Sequence, residues 1–331
     1  MNIPGFVDLQ VNGHLGVDFG GPDLTDERFA EAARQVLATG TAAFLPTLGT
    51  ATMDVYEHCL PILARAVRCD EFRGRVPGIH IEGPFLSGEP GAVGAHNPDW
   101  VRPPDLDFLK RQLELADGTV VLLTVAPELE GADELARHAV SQGITVSLGH
   151  TLGRPEDFAR LAAAGATALT HLANGAPNMM HRHHNPVWAG LANDDLTAMI
   201  ITDGHHLPPA VIKSIVRAKG VERTVVVSDA AHLAGLPPGR YGTAEAEVVL
   251  EPSGRLHNPE RQCLAGSSAV MIQCMNHLAS LGILGLDDLI AVGLDNPLAL
   301  IGLDRGVLRP VDEVAWDEED REFRVKATAR G

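Results

Sequence analysis

Residues 144–174 constrain the fold most strongly, because they read as strand, helix and strand with a histidine after each strand. The apolar run 144–148 is followed by Gly149-His150, and the run 166–170 is followed by His171. Two parallel strands joined by a helix bring their carboxyl ends side by side. In an α/β barrel, that end carries the ligands and the chemistry. The pattern therefore predicts that the two imidazoles share a metal ion, although either histidine alone could equally cap a strand.

Eight strand–helix units follow one another along the chain. This count, without a sequence repeat, is typical of a closed (β/α)8 barrel of the TIM type. We assign residues 4–303 to the barrel, with a hairpin insertion at about 240–264 that has its first strand at 245–250 and its turn at 252–254. Residues 304–331 form a short C-terminal segment, in which 311–327 are expected to form an edge strand or hairpin. The predicted strands cover residues 4–12, 41–45, 76–81, 120–125, 144–148, 166–170, 197–201 and 223–227.

Charge and composition narrow the class of partner. A formal net charge of −17 argues against binding to nucleic acid or to an anionic membrane surface. No run has the length of a membrane span and no leader is recognisable, so we expect a cytoplasmic protein. A local basic cluster at residues 181–184 still allows a small anionic substrate. We interpret the four cysteines as reduced packing residues: Cys59, Cys69, Cys263 and Cys274.

Polar residues end the predicted strands, and three of them form a metal-ligand set. Glu82, His150 and His171 offer one carboxylate and two imidazoles, which suit a catalytic zinc or another divalent ion such as iron. Such a metal lowers the pKa of bound water to about 7 and polarises a carbonyl oxygen. Asp229 is placed to take a proton from that water, although it could instead cap a turn. The polar residues at the strand ends are Gln10, Asn12, Thr47, Glu82, Glu128, His150, His171, Asp203 and Asp229.

Short segments along nearly the whole chain resemble the N-acetylglucosamine-6-phosphate deacetylases of the amidohydrolase superfamily. In chain order they are PGFVDLQVNG, HIEGPFLSG, GAHNP, SLGHT, THLANG, TDGHH, VSDA and LAGSS. The set carries the resemblance, since each piece alone is weak. It implies a metal-dependent amide hydrolase of amino sugar metabolism. Its substrate is expected to be N-acetylglucosamine 6-phosphate, with a metal-bound water attacking the amide carbonyl.

The resemblance also implies roles for individual residues. Glu82, His150 and His171 hold the metal, and Asp229 acts as general base and then as general acid. His96 contacts the substrate and helps to stabilise the oxyanion. The further substrate contacts it implies are Ala95, Asn174, Gly175, the cationic phosphate partners Arg182 and His206, and Leu264, Ala265 and Gly266 at the N-acetyl end.

The first strand bears on the number of metal ions. Many amidohydrolases carry His-x-His there to hold a second metal, whereas this chain has Gln10-x-Asn12. A neutral amide is a poor replacement for imidazole as a transition-metal ligand. We therefore interpret Gln10 and Asn12 as vestigial second-metal positions. We expect one divalent ion per chain, Zn²⁺ in the first place and Fe²⁺ or another divalent ion as the alternative.

The chain departs from the family pattern in the loop after His171. The family has an aromatic residue and then Asn-Ala-Met, whereas this chain has Ala173-Asn174-Gly175-Ala176 and then a histidine-rich run. Arg182 keeps the offset of an arginine that in the family reaches the phosphate site of a neighbouring subunit, which implies a homodimer. The histidine-rich run could instead be a solvated loop. The substrate could then be N-acetylgalactosamine 6-phosphate or a non-phosphorylated amide.

The family also builds a small β-domain from segments at both ends of its chain. Only Met1-Asn2-Ile3 precede Pro4, and the C-terminal segment is short. We therefore expect the barrel to carry a reduced or missing β-domain, with residues 304–331 as its remnant.

Two other functions compete with sugar-phosphate deacetylation. A barrel deaminase or phosphoester hydrolase usually has His-x-His on the first strand or additional carboxylates, which this chain lacks. A non-catalytic barrel that binds a sugar phosphate should have lost one of its catalytic positions. All four are present: Glu82, His150, His171 and Asp229.

Overall fold

The computed structural model describes residues 1–242, 247–309 and 314–326. Eight parallel strands form its central sheet, and each is hydrogen bonded to the next in chain order. The predicted (β/α)8 barrel is confirmed. The strands are β1 (Phe6–Val11), β2 (Thr41–Leu48), β3 (Ile79–Glu82), β4 (Val120–Val125), β5 (Thr145–Leu148), β6 (Ala168–Leu169), β7 (Thr197–Ile201) and β8 (Thr224–Val227).

A helix follows each barrel strand, and two more helices complete the barrel wall. Among the helices of the described residues, none combines the length and the apolar character needed to cross a bilayer. A π-helical turn, Ala291–Asp295, joins the last two helices. The helices are α1 (Asp26–Ala38), α2 (Met53–Arg68), α3 (Leu106–Leu115), α4 (Ala132–Ser141), α5 (Pro155–Ala163), α6 (Pro186–Ala192), α7 (Pro209–Lys219), α8 (Met271–Ser280), α9 (Leu286–Ile290) and α10 (Asn296–Leu300), with 3-10 turns at Pro98–Trp100, Val221–Arg223 and Arg305–Val307.

The local sequence accounts for where helices begin and which face they bury. Thr25 begins α1 by accepting a hydrogen bond from the Arg28 N–H, and Asp105 begins α3 in the same way. Proline stands in the first turn of α5, α6 and α7, where a missing N–H removes no helix hydrogen bond. In α1 the buried residues recur every three or four positions, as an amphipathic helix requires: Phe29, Ala32, Ala33, Val36 and Leu37.

Five strands begin later than the apolar pattern predicts, and the backbone hydrogen bonds explain the delay in β3 and β6. Val76 and Ala166 are buried, as expected of strand residues. Their N–H groups, however, donate to Phe72 and Leu161 in the preceding turns, so β3 and β6 begin only at Ile79 and Ala168. The apolar pattern marks burial, whereas a strand also needs a partner for its backbone hydrogen bonds.

Three antiparallel sheets lie outside the barrel. The smallest pairs Gly13–His14 with Val17–Asp18, just after β1. The insertion before α8 is a four-stranded sheet rather than the expected hairpin, with the predicted turn at 252–254 between its second and third strands. The expected first strand of that hairpin began at Glu245, which lies outside the described residues. The strands of the insertion are Gly239–Tyr241, Val248–Leu250, Leu256–Asn258 and Cys263–Leu264.

The third sheet joins the two ends of the chain. Asn2–Ile3 pairs with Val314–Asp317, which pairs with Glu322–Val325. The tail was expected to form an edge strand or hairpin over 311–327, of which 311–313 and 327 lie outside the described residues. The division into a barrel and the remnant of a β-domain stays a prediction.

The cysteines agree only partly with their interpretation as packing residues. All four are free thiols. Cys59 and Cys274 are buried as expected, but Cys69 is exposed and Cys263 is partly exposed. Cys69 follows the last residue of α2, where no further layer of the fold covers it.

The barrel closes between β1 and the end of β8. The Asn12 N–H donates to the Ala230 carbonyl at 2.8 Å. Below this bond, the buried Asp8 carboxylate accepts hydrogen bonds from the N–H and the hydroxyl of Ser228 and from the Gln10 N–H. Burial raises the pKa of Asp8 to about 6, against the effect of these hydrogen bonds. A buried carboxylate thus joins the first strand to the last.

A chain of polar side chains crosses the barrel interior beneath the strand ends. The buried His80 ring contacts Thr47 through Nδ1 at 3.2 Å and Thr124 through Nε2 at 2.8 Å. Thr124 continues to Thr170 at 2.8 Å, and Thr170 to Ser147 at 2.6 Å. Burial lowers the pKa of His80 to about 4, so its ring is neutral. These bonds connect β2 to β6 across the core and satisfy polar groups that could not otherwise be buried.

The carboxylate of Asp8 predicts a specific dependence of stability on pH. Its folded-state pKa of about 6 lies above the ordinary 3.8, so its contribution is fully present below pH 4 and is lost as the pH rises through 6. Asp8→Asn removes this contribution. Between pH 7 and pH 5, the wild type should gain about 1 kcal/mol of unfolding free energy relative to Asp8→Asn. Urea unfolding of both proteins at each pH measures the difference.

The matched control is Asp70→Asn, which removes a carboxylate that is 84% exposed. It should leave the pH dependence of the wild type unchanged. If wild type and Asp8→Asn show the same pH dependence of unfolding free energy, the role assigned to the Asp8 carboxylate is wrong.

Candidate metal centre and active site

Three buried side chains converge at the carboxyl end of the barrel: Glu82, His150 and His171. Glu82 ends β3, and the histidines follow β5 and β6. The Nε2 atoms of His171 and His150 lie 3.0 and 3.3 Å from Oε1 of Glu82, and 3.1 Å from each other. All three ligand atoms lie within 4.8 Å of one another. One carboxylate oxygen and two imidazole nitrogens in this arrangement fit a divalent transition metal.

The histidine ligands and Asp229 share an unusual backbone conformation. Their φ angles are 50° for His150, 28° for His171 and 51° for Asp229, in or near the left-handed region that residues with a Cβ rarely adopt. Each residue stands at the point where the chain leaves a barrel strand. Such strain persists only where surrounding contacts impose it, and it is typical of functional sites.

The carboxylate and the imidazoles change one another's pKa values. Burial alone raises the pKa of Glu82, but the hydrogen bonds from His150 and His171 outweigh it and hold the pKa well below its ordinary value. Burial alone lowers the pKa of His171, but Glu82 outweighs it and raises the pKa above its ordinary value. Glu82 is therefore an anion at neutral pH, which is the state that a metal ligand requires.

The orientation of His150 is fixed from its far side. Its Nδ1 donates to the Ala92 carbonyl at 2.8 Å, which leaves the Nε2 lone pair for a metal. Two glycines pack against the same ring: a Cβ at Gly175 would lie 2.8 Å from Nδ1, and one at Gly94 would lie 3.1 Å from Cε1. Gly175, which the sequence predicts as a substrate contact, thus also supports a metal ligand.

Two amides on the first strand and at its end contact the ligand set and the predicted base. Nε2 of Gln10 donates to Oε1 of Glu82 at 3.1 Å, and Nδ2 of Asn12 donates to Oδ1 of Asp229 at 2.8 Å. The interpretation of Gln10 and Asn12 as vestigial positions did not include this role. Each amide orients a carboxylate and stabilises its ionised form without adding a positive charge.

Asp229 follows β8 and lies close enough to Glu82 and His171 for their charges to change its pKa. Its side chain is half-buried and surrounded by protein atoms, so desolvation raises its pKa to about 6, with a further contribution from the charge of Glu82. His171, His206 and the Asn12 amide oppose this shift. A carboxylate whose pKa lies close to neutrality can both accept a proton and return it.

His96 faces the ligands from the loop between β3 and α3. Its Nε2 lies 3.2 Å from Nε2 of His150 and 3.7 Å from Oε2 of Glu82. Its Nδ1 accepts a hydrogen bond from the Thr50 N–H at 3.3 Å. Burial, then His150, lowers the pKa of His96 to about 3, so the ring is neutral and its proton lies on Nε2. A neutral donor at this place can stabilise an oxyanion.

Other predicted substrate contacts surround this centre. Nδ2 of Asn174 donates to the His171 carbonyl at 3.2 Å. A Cβ at Gly266 would lie 3.1 Å from the Asp229 carbonyl, so Gly266 packs against the backbone of the predicted base. Leu264 and Ala265 are hydrogen bonded within the insertion sheet. The Ala95 carbonyl accepts a hydrogen bond from Arg261 at 3.3 Å.

Arg182 is the predicted site residue that the fold does not bring to the centre. It lies in an exposed loop, where its carbonyl accepts a hydrogen bond from the Trp188 indole at 2.9 Å. Within the described residues, no hydrogen bond or ion pair joins its guanidinium to the metal ligands, Asp229 or His206.

Two residues have structural roles at the site that the sequence pattern did not assign. Asp203 accepts the Nδ1–H of His206 at 2.8 Å and the Ser267 hydroxyl at 2.9 Å. Burial raises its pKa, but His206 outweighs this and holds it far below its ordinary value. Its position after β7, like that of Asp229 after β8, is the signal that could have indicated the role.

Arg261 is the second such residue. Its guanidinium donates to the carbonyls of Ala95 and His96, the latter at 2.8 Å, and so joins the insertion to the His96 loop. The two segments are 165 residues apart along the chain, and no local pattern announces such a contact.

No family model matches the chain. It is 30% identical over 307 residues to an N-acetylgalactosamine-6-phosphate deacetylase of Escherichia coli O157:H7, covering 92% of this chain and 79% of that protein. It is 32% identical over 314 residues to an N-acetylglucosamine-6-phosphate deacetylase of Bos taurus, covering 91% and 75%.

A solved structure is similar over almost the whole chain. It is a mutant N-acetyl-D-glucosamine-6-phosphate deacetylase of Mycobacterium smegmatis in complex with N-acetyl-D-glucosamine-6-phosphate. The TM-score is 0.87 at 29% identity, and the match covers 98% of this chain and 85% of that chain.

The hydrogen bond from Gln10 to Glu82 predicts an effect on metal affinity. Gln10→Leu keeps the approximate side-chain volume but removes the donor that orients the ligand carboxylate. The metal dissociation constant should rise about 10- to 100-fold, the usual cost of losing such a supporting contact. Chelator competition on the metal-free protein, with metal analysis of the loaded sample, measures it.

The matched control is Gln112→Leu, because Gln112 is equally buried but lies on α3. Its metal affinity should equal that of the wild type. Equal affinities for Gln10→Leu and the wild type would show that Gln10 does not support the ligand.

Proposed function

The chain belongs to the N-acetylglucosamine-6-phosphate deacetylase family, and on that premise we propose that it hydrolyses the acetamide of N-acetylglucosamine 6-phosphate. The products are acetate and glucosamine 6-phosphate. The similarity to these named deacetylases confirms the family resemblance and the class of enzyme, a carbon–nitrogen hydrolase acting on amides. The substrate is assigned by the names of the relatives and by the ligand of the mycobacterial structure.

One observation carries the proposal: a buried ligand set, Glu82, His150 and His171, stands beside the half-buried carboxylate of Asp229. A non-catalytic sugar-phosphate barrel would have no need for this costly arrangement of buried charges. The Escherichia coli relative supports N-acetylgalactosamine 6-phosphate as the second candidate substrate.

The ligand set can hold a metal, and we propose one divalent ion per chain, Zn²⁺ in the first place. Two imidazoles and one carboxylate are the donors that zinc prefers at catalytic sites. Gln10 and Asn12 offer no imidazole for a second ion, and their amides are engaged with Glu82 and Asp229. When bound, such an ion supplies Lewis acidity: it polarises a carbonyl and lowers the pKa of water.

Asp229 and His96 have different roles in the reaction. Asp229 takes a proton from the attacking water, whose oxygen forms a bond to the acetyl carbon. Nε2–H of His96 donates to the carbonyl oxygen as negative charge develops on it. The carbon–nitrogen bond breaks as Asp229 returns the proton to the departing amine. His206, held by Asp203, and Asn174 are proposed to contact the sugar phosphate.

We propose a homodimer in which Arg182 binds the phosphate in the neighbouring subunit. Exposed apolar side chains surround Arg182: Met179 is 90% exposed, Trp188 54% and Met180 38%. Exposed apolar residues grouped in this way favour contact with another protein surface. A guanidinium suits a phosphate because it forms two parallel hydrogen bonds. A cytoplasmic location stays a prediction from the sequence.

Acetate release tests the function directly. The zinc-loaded protein is assayed with N-acetylglucosamine 6-phosphate, N-acetylgalactosamine 6-phosphate and N-acetylglucosamine. We expect the first to have the highest kcat/KM, and the unphosphorylated sugar to be at least about 100-fold poorer, because it leaves the phosphate subsite unpaired. If none of the three sugars releases acetate, the proposed function is wrong.

Asp229→Asn is the internal test of the mechanism. The amide cannot accept the proton, so kcat should fall by about 10²–10⁴, the usual contribution of a general base. The metal content should stay that of the wild type, because Asp229 is outside the ligand set. Undiminished turnover would show that another group moves the proton.

A hybrid dimer tests the place of Arg182. A dimer of one Arg182→Ala chain and one Asp229→Asn chain, isolated with two affinity tags, has one complete site only if Arg182 acts across the interface. It should then have about half of the wild-type activity. If Arg182 acts within its own chain, both sites of the hybrid are defective. Its activity is then no higher than the mean activity of the Arg182→Ala and Asp229→Asn homodimers.

A further inference from the structure

Tyr56 carries a buried hydroxyl group near the metal centre. The hydrolysis steps proposed above give this hydroxyl no role. Tyr56 lies on α2, fully buried, with its ring against the edge of Phe108. Its hydroxyl donates to the Gly49 carbonyl at 3.0 Å and accepts from the Ala51 N–H at 3.2 Å. Burial raises the pKa of Tyr56, so the group stays a neutral donor and acceptor. One side chain thereby holds the backbone on both sides of Thr50.

Thr50 contacts the active site in two directions. Its N–H donates to Nδ1 of His96 at 3.3 Å, and its hydroxyl donates to the Glu82 carbonyl at 3.4 Å. The loop packs on the imidazole: a Cβ at Gly49 would lie 3.4 Å from Cε1 of His96. The loop between β2 and α2 therefore forms one wall of the space that His96 occupies.

The contact with Thr50 decides what His96 can do. A backbone N–H only donates, so Nδ1 must accept and the proton of the neutral ring must lie on Nε2. In the opposite tautomer, Nε2 would present a lone pair 3.2 Å from Nε2 of His150. That lone pair would repel a carbonyl oxygen and would add a third imidazole nitrogen to the ligand set. With its proton on Nε2, His96 can donate to an oxyanion; with its proton on Nδ1, it would instead be an additional metal ligand.

We propose that Tyr56 is a positioning residue for the amide hydrolysis. Through Gly49 and Ala51 it holds the Thr50 N–H against Nδ1 of His96, which keeps the His96 proton on Nε2. The inference rests on the proposed function, because only a substrate carbonyl at this place gives the Nε2 proton its use. Tyr56 itself contacts neither the substrate nor the metal ligands, and it acts on the His96 proton through the backbone of Thr50.

The first experiment observes the tautomer. Histidine ring nitrogens of the ¹⁵N-labelled, zinc-loaded protein are recorded by long-range ¹H–¹⁵N correlation, and His96 is assigned from the spectrum of His96→Ala. In the wild type, Nδ1 of His96 should resonate as an unprotonated nitrogen and Nε2 as a protonated one. In Tyr56→Phe both signals should move towards the mean of the two forms.

Tyr241→Phe is the matched control. Its hydroxyl also donates to a backbone carbonyl, that of Pro237, but in the insertion rather than in the β2–α2 loop. These two are the chain's only tyrosines. Tyr241→Phe should leave the His96 signals and turnover unchanged.

The second experiment measures kinetics on the same samples. In Tyr56→Phe, kcat should fall about tenfold while KM stays within about twofold, because the donor matters more as charge develops in the transition state. In a His96→Ala background, Tyr56→Phe should cause no further loss of kcat, since the two residues act as one unit.

Three results would overturn the proposal. These are a wild-type His96 with its proton on Nδ1, unchanged His96 signals and kcat in Tyr56→Phe, or a further loss of kcat in the His96→Ala background. The tautomer of His96 is measured on the wild type, so the proposal can still be contradicted if Tyr56→Phe fails to fold. The tautomer is read without turnover. A protein that releases no acetate therefore contradicts the proposed function while its spectrum still decides the contact between Thr50 and His96.

Discussion

The barrel closes where β1 meets β8, and the geometry of the catalytic centre depends on that closure. The Asn12 N–H bonds to the Ala230 carbonyl, and the buried carboxylate of Asp8 joins the same two strands one layer below. A barrel left open here would separate Asn12 from Asp229, the residue immediately before Ala230. The first strand therefore aligns the proposed base with the proposed ligands by completing the barrel.

Both amides next to the ligand set, those of Gln10 and Asn12, come from this strand or its end, and each contacts one of two carboxylates that differ in proton affinity. Glu82 is held ionised by two imidazoles and by the Gln10 amide, whereas burial raises the pKa of Asp229 to about 6. Two carboxyl groups of one site thus receive different proton affinities from their surroundings, which is how a ligand and a base are distinguished. An imidazole at position 10 or 12 would replace these amide donors with a further metal ligand.

Support for the reactive groups comes from loops that are distant in the chain. His150 is held by the Ala92 carbonyl and by two glycines, and His96 by Thr50 from one side and Arg261 from the other. These neighbours are chiefly backbone groups, which cannot rotate away as side chains can. Rigid support of this kind keeps the donors aligned before the substrate arrives and lowers the cost of reorganisation during the reaction.

Much of the fold and of the ligand set follows from the sequence alone, because both depend on local patterns. The alternation of apolar strands and amphipathic helices indicates the barrel, and its geometry places Glu82, His150, His171 and Asp229 at one end. Short apolar runs still misplace the first residues of β3 and β6, since burial and strand pairing are separate properties.

Only the tertiary structure decides which groups support that set. Asn12 and Asp229 are 217 residues apart, and Arg261 and His96 are 165 apart, so no periodicity or spacing relates them. Gln10 and Asn12 look like lost ligands in the sequence, but in the folded chain they are hydrogen-bond donors to a ligand and a base. The sequence by itself determined the barrel, and through local pattern it indicated which polar residues meet at the carboxyl end. The closed barrel decided their neighbours, because hydrogen bonds between distant segments exist only once the strands are in register.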